Sequence, residues 1–491
     1  MKIRTTLTTA VALGTVLVGM IGCGMQNSGL APITTSSKEA REAYLTGRDL
    51  QEKLRTEESR PYLEEAIRLD PDFAMAHLAL AFAEPSAKQF FARMNKAAAL
   101  VDKVSEGERL WILGMQAATS SNPSGELEYY RQLVEMYPDD PRANNLMAGH
   151  YFNDQDWERA IEYYNRALLL DSSYSVPYNQ MGYAYRFMED YKRAEEAFKK
   201  YIELIPDDPN PYDSYAELLA KMGKYDESIG MYEKALAVNP EFFASHIGIA
   251  SDLCFKDEYD AARERLETKM LATAPNDGVR RAAYRAVSVT YVYEGRYEEA
   301  IQEIQKQYAL AEEIWDASAM AADLMSMGAI YLEANAPEKA RAVFNKSLKL
   351  MENSELPKSV KDNAKRSQMV NSARVSILNK DLASAKAKAQ EYSEIARALG
   401  DRGQISASHT LAAIIALEEQ KYGRAIEELM QADQGSAYTF YRMMLAYQGL
   451  NDHERAEEMC RQVVEFNQIN NLSYAFIRNK AREILATQYS P

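Results

Sequence analysis

The sequence predicts an all-α chain, a right-handed solenoid of about a dozen helical hairpins, and three observations carry that prediction. The first is a period. Small residues stand at Gly114, Ala148, Gly182, Ala216 and Ala250, each 34 residues after the one before. Glu126, Ala160, Ala194, Ser228 and Ala262 keep the same step, as do Tyr130, Tyr164, Phe198, Tyr232 and Leu266. Pro138, Ser172, Pro206 and Pro240 mark the end of each unit in the same register. A fixed period of roughly 20–50 residues means stacked units, none of which buries its apolar face alone. The second observation is helical spacing inside a unit: Tyr178, Met181, Gly182 and Tyr185 share one face at i, i+3, i+4 and i+7. The third is scarcity of turn-formers, since 22 Gly and 16 Pro in 491 residues suit long helices with short connections.

Along the chain, residues 1–22 read as a signal peptide. Lys2 and Arg4 precede an uncharged run over 5–21 that is too short, and too rich in Thr and Gly, for a span of roughly 20 apolar residues. Met20-Ile21-Gly22-Cys23 resembles the lipobox of bacterial lipoproteins, with Met where Leu is usual. That resemblance implies lipidation of Cys23, which becomes the N-terminus and anchors the chain to a membrane. Gly24 after it implies sorting to the outer membrane of a bacterial envelope, facing the periplasm. Residues 23–37 are small, polar and uncharged, as a flexible tether should be. Ser36 and Glu39 offer a capping box at the first helix start.

Two arrays follow, 38–276 and 277–491. In the first, the unit 40–73 is regular and the unit 74–106 is degenerate, interrupted by Pro85. Tyr191, Tyr225, Tyr259, Tyr297 and Tyr422 share one turn place, which assigns part of the chain's 32 tyrosines to packing. Beyond 276 the spacing of Ala262, Ala300, Ala340, Ala385, Ala425 and Ala456 stretches and the helices lengthen, with breaks at 276–278 and 353–357. Residues 471–488 read as a terminal helix covering the last pair. Cys254 and Cys460 sit in apolar helical surroundings, as buried unpaired thiols.

These columns resemble the tetratricopeptide repeat (TPR) family, most closely in the middle third and loosely over 350–400. The resemblance implies that the first helix of each pair lines a concave groove that takes partner peptides or helices. Its groove places fall on Trp111, Asn145, Phe152, Asn179, Tyr183, Arg186 and Phe187, which are the candidate partner-binding residues. Asn145 and Asn179 are similar to positions used to clasp a C-terminal carboxylate, but the lysines that complete such a clasp are missing.

Catalytic motifs are missing as well. No His-Glu-x-x-His, Cys-x-x-Cys pair, phosphate loop or dinucleotide fingerprint occurs, and five scattered His have no metal-ligand spacing. A net charge of −15 without a basic block gives no footprint for nucleic acid. The sequence therefore predicts a non-catalytic, lipid-anchored scaffold without cofactor or metal, binding other proteins. The alternatives are a regulatory or sensory array, similar to those that accompany bacterial kinases and transcription regulators, and an accessory subunit of an envelope assembly or secretion machine.

Overall fold

In the computed structural model, which describes residues 29–489 apart from Ser121, helix follows helix from end to end. Residues 1–22 and Cys23 lie outside the described residues, so the signal peptide and lipidation site have no structural account. The first three hairpins are α1 (Lys38–Glu52) with α2 (Thr56–Leu69), α3 (Ala74–Ala81) with α4 (Ala87–Ala98), and α5 (Glu106–Thr119) with α6 (Pro123–Met136). Next come α7 (Pro141–Asn153) with α8 (Trp157–Leu170), α9 (Ser175–Phe187) with α10 (Tyr191–Leu204), and α11 (Asn210–Lys221) with α12 (Tyr225–Val238). The middle of the chain holds α13 (Ala244–Phe255) with α14 (Tyr259–Arg265), α15 (Asp277–Tyr293) with α16 (Tyr297–Glu313), and α17 (Ala317–Glu333) with α18 (Pro337–Asn353). Then follow α19 (Lys358–Leu378) with α20 (Leu382–Leu399), α21 (Arg402–Glu418) with α22 (Tyr422–Leu429), and α23 (Ala437–Gly449) with α24 (His453–Val464). A single helix, α25 (Leu472–Gln488), closes the chain. No strand occurs among the described residues.

The repeat columns have a direct physical meaning. A Cβ added to Gly182 would lie 2.6 Å from the Phe198 ring, and one added to Gly328 would lie 2.1 Å from Phe344. The small residue on the first helix thus clears space for the aromatic on the second, and both rings are buried. Inner turns repeat too. Gln155, Glu189, Asp257, Asn335 and Gln420 all take a left-handed conformation two residues before the second helix starts. Asp156, Asp190, Asp381 and Asp452 cap second helices by accepting an amide hydrogen bond. The five turn tyrosines each open a second helix, in α10, α12, α14, α16 and α22.

Two expectations need correction. The cap of α1 is Ser37, whose hydroxyl accepts from the Ala40 amide at 3.0 Å, rather than Ser36. Residues 31–35, expected in a flexible tether, are bound across the first units. The Ala31 amide donates to Asp140 at 2.8 Å, the Thr34 amide to Glu108 at 2.8 Å, and the Thr35 hydroxyl to Asp70 at 2.5 Å. Carboxylates at or near helix starts reward a passing backbone amide, and composition alone does not reveal that. Cys254 and Cys460 are buried and unpaired.

The stack turns back on itself. Arg402 at the start of α21 bridges Asp154 at the end of α7 at 2.8 Å, so the eleventh pair meets the fourth. Lys88 on α4 meets Glu355, just before α19, at 2.6 Å, and Ala87 and Phe91 join Leu356 and Val360 in a small apolar cluster. The C-terminal helix strengthens this closure. It packs on the last pair, as expected, but it also spans to the middle of the chain. Arg478 donates to the Phe255 carbonyl at 2.9 Å, Asn479 to the Tyr293 carbonyl at 2.7 Å, and Arg482 bridges Asp257 at 2.6 Å.

Candidate functional site

The C-terminal segment packs against α11, α13 and α15. Phe255 sits under Tyr474 and Tyr293, with the Arg478 guanidinium over its ring at 5.2 Å. Lys221 donates to the Phe466 carbonyl at 3.0 Å, and Tyr225 donates to Asn467 at 2.8 Å. The segment joining α24 to α25 therefore lies along the sixth and seventh pairs. Among the described residues no such contact falls on Asn145, Gly149 or Phe187 of α7 and α9.

The predicted groove residues divide into two groups. Trp111 joins the apolar clusters of the first units and spends its ring on packing. Tyr183, expected to point freely into the groove, is half-buried. Its ring stands edge-on to Phe198 with centroids 5.3 Å apart, and its hydroxyl donates to Ser214 at 3.3 Å. Arg186 covers that ring at 4.9 Å and pairs with Glu217 of the next unit at 3.0 Å. Tyr183 and Arg186 hold neighbouring pairs together. Burial pushes the Tyr183 phenol well above its ordinary pKa, so it stays protonated.

The second group has unspent capacity. Asn145 and Asn179 are one period apart on α7 and α9, and Asn179 is only 5% exposed. The side-chain carbonyl oxygen of each is buried without a hydrogen-bond partner among the described residues. A buried acceptor left unpaired costs about 1–3 kcal/mol, so two of them in register are a standing offer to donors. Gly149 shares the Asn145 face one turn on, and a Cβ placed there meets nothing within 4 Å. At the lip, Phe187 is 46% exposed and stacks on Trp157 with centroids 4.9 Å apart, while Phe152 stands edge-on to Trp157 at 5.1 Å. Sequence reasoning missed Trp157 and Gly149. Gly149 was readable, since it lies four residues after Asn145, whereas Trp157 opens a second helix and has no groove place.

Beside this face lie two buried carboxyls. Asp213 accepts from the Ser245 hydroxyl at 2.6 Å, and burial pushes it up to about 7. Asp252 is 0% exposed, neither oxygen has a partner, and burial pushes it up to about 8. An unfolded Asp titrates near ~3.9, so between these values the folded chain holds a proton that the unfolded chain has lost. Stability from this group is complete below about pH 4 and is lost as pH rises through about 8. Asp252→Asn should therefore raise the melting temperature by several degrees at pH 8.5 and leave it nearly unchanged at pH 4. Equal shifts at both pH values, measured by thermal scans, would contradict a protonated Asp252.

The fold and this face define a helical-repeat solenoid with one open groove segment. Two stretches, residues 139–207 and 213–242, match models described as tetratricopeptide repeat, so these repeats are present from α7 to α12. Among curated proteins, the general transcriptional corepressor trfA of Dictyostelium discoideum is 23% identical over 138 residues, 28% of this chain and 10% of that protein. The anaphase-promoting complex subunit cut9 of Schizosaccharomyces pombe is 26% identical over 203 residues, 39% of this chain and 30% of that one. The chain thus spans less than a third of the length of these relatives. Among solved structures, a tetratricopeptide repeat protein from Parabacteroides merdae is 15% identical with a TM-score of 0.37, covering 54% of this chain and 99% of that one. YrrB, described as a TPR protein with an unusual peptide-binding site, is 21% identical with a TM-score of 0.26, covering 37% of this chain and 91% of that one. Among the described residues no cluster of His, Cys, Asp or Glu could hold a metal ion, and no helix is long and apolar enough to cross a membrane.

Proposed function

We propose that the chain is a non-catalytic scaffold that binds an extended segment of a partner protein along α7 and α9. One observation carries this reading: the unpaired buried carbonyl oxygens of Asn145 and Asn179, set one repeat apart beside the open space at Gly149. Backbone amides of an extended peptide supply the donors these oxygens lack, and the Phe152–Trp157–Phe187 cluster offers an aromatic surface for an apolar side chain. Selection of peptides from a displayed library on the full chain tests this. Selected peptides should lose about tenfold in affinity to an Asn145→Ala/Asn179→Ala variant. A library that yields no binder, or binders indifferent to both asparagines, removes the groove from consideration.

Anchoring of this scaffold to a bacterial envelope through lipid on Cys23 is part of the same proposal and rests on the sequence before residue 24 alone. Intact mass of the mature protein should show diacylglyceryl on an N-terminal Cys23, and an unmodified Cys23 or cleavage elsewhere would refute it.

A further inference from the structure

Where the closing stack brings α7 opposite α21 and α23, it leaves an open-mouthed cavity of about 1050 Å³. This is the upper end of the size range for small-molecule sites, roughly 300–1,000 Å³. Its walls are polar and apolar in nearly equal parts, and two arginines, Arg374 on α19 and Arg442 on α23, line it together. Neither guanidinium has a hydrogen bond or a carboxylate partner among the described residues. Several other interior arginines are paired with carboxylates: Arg142 with Glu52 at 2.8 Å, Arg186 with Glu217 at 3.0 Å, and Arg281 with Asp323 at 2.9 Å. Four carboxylates also line the cavity, and each is engaged elsewhere: Glu126 faces His150 at 3.1 Å, Asp154 bridges Arg402 at 2.8 Å, and Asp401 and Asp433 accept from the Gln404 and Gly435 amides at 2.9 Å. Glu333, the carboxylate whose charge acts on Arg442, is already bound by the Tyr438 hydroxyl at 2.5 Å and by Lys480 at 3.0 Å. Arg442 lies over the Tyr438 ring at 4.5 Å, which fixes its plane and leaves its edge free for an anion. Burial, with the like charge of Arg374 adding to it, pulls Arg442 down to about 10. Ser406 on α21, which also lines the cavity, has a buried hydroxyl without a partner.

We propose that this cavity binds a small polar molecule through an oxyanion, a carboxylate or a phosphate ester, held by Arg374 and Arg442. Two cations that repel each other inside a cavity lower the stability of the empty protein, and an oxyanion between them removes that repulsion while accepting the fork of donors from each side. Ser406 supplies a neutral hydroxyl to the rest of the ligand. This site is independent of Asn145 and Asn179, so it stands or falls separately from peptide capture.

Titration calorimetry of the full chain at low ionic strength, with inorganic phosphate and with succinate as probes, tests the proposal. At least one probe should bind saturably below about 1 mM, and Arg374→Gln or Arg442→Gln should weaken it about tenfold or more. Phosphate binding alone identifies a phosphate ester as the ligand's anionic group, succinate binding alone a carboxylate, and binding of both a site that reads charge. The double variant should bind neither probe and, without ligand, melt at or above the wild-type temperature. The proposal is overturned if neither probe saturates, if binding survives in the double variant, or if that variant melts below wild type, which would make the pair structural.

Discussion

Gly182→Leu is expected to melt the hairpin α9–α10 and to lower stability by about 3 kcal/mol. The reason is local. A Cβ at residue 182 alone would come within 2.6 Å of the Phe198 ring, and that ring is completely buried among Ala194, Tyr164 and Met181. A leucine adds three further carbons to a space that does not admit the first. Because the units interact mainly with their neighbours, the damage should concentrate in α9 and α10 and spread weakly outward. Hydrogen exchange would show it as lost amide protection over 175–204 with the far end of the array unchanged. Phe198→Ala in the same chain should restore part of the loss, since the two residues compete for one volume. A Gly182→Leu protein that melts with wild type, or that is not helped by Phe198→Ala, would contradict the packing described.

Most of the fold was legible from the repeat columns because each column is a packing constraint: Gly182 makes room for Phe198, and Gly114 for Tyr130. The closure of the stack was not legible. Contacts such as Arg402 with Asp154, or Arg478 with the Phe255 carbonyl, join residues more than 200 positions apart and leave no periodic trace. The groove residues were half legible. Register placed Asn145, Asn179, Tyr183 and Arg186 on the correct helices, but exposure depends on what the next unit offers, and Ser214 and Glu217 take Tyr183 and Arg186. Arg374 and Arg442 fall where the period has stretched, so no column assigned them a face.

Gly149→Trp should have the opposite signature to Gly182→Leu. A Cβ at residue 149 on α7 meets nothing within 4 Å, so a side chain can leave the helix there unobstructed, and replacing an interior helical glycine removes a cost of about 0.5–1 kcal/mol. Stability should hold or rise slightly. The indole should nevertheless occupy the space between Asn145 and the aromatic lip, where an extended peptide has to run.

The central claim is that this open segment, and no other part of the stack, is where a partner peptide binds. The affinity of the full-length Gly149→Trp protein for library-selected peptides, measured beside its melting temperature, tests that claim most directly. The account predicts a wild-type melting temperature with binding reduced at least about a hundredfold, the scale of losing a central anchor. Wild-type affinity in a stably folded Gly149→Trp protein would contradict it and place the binding surface elsewhere.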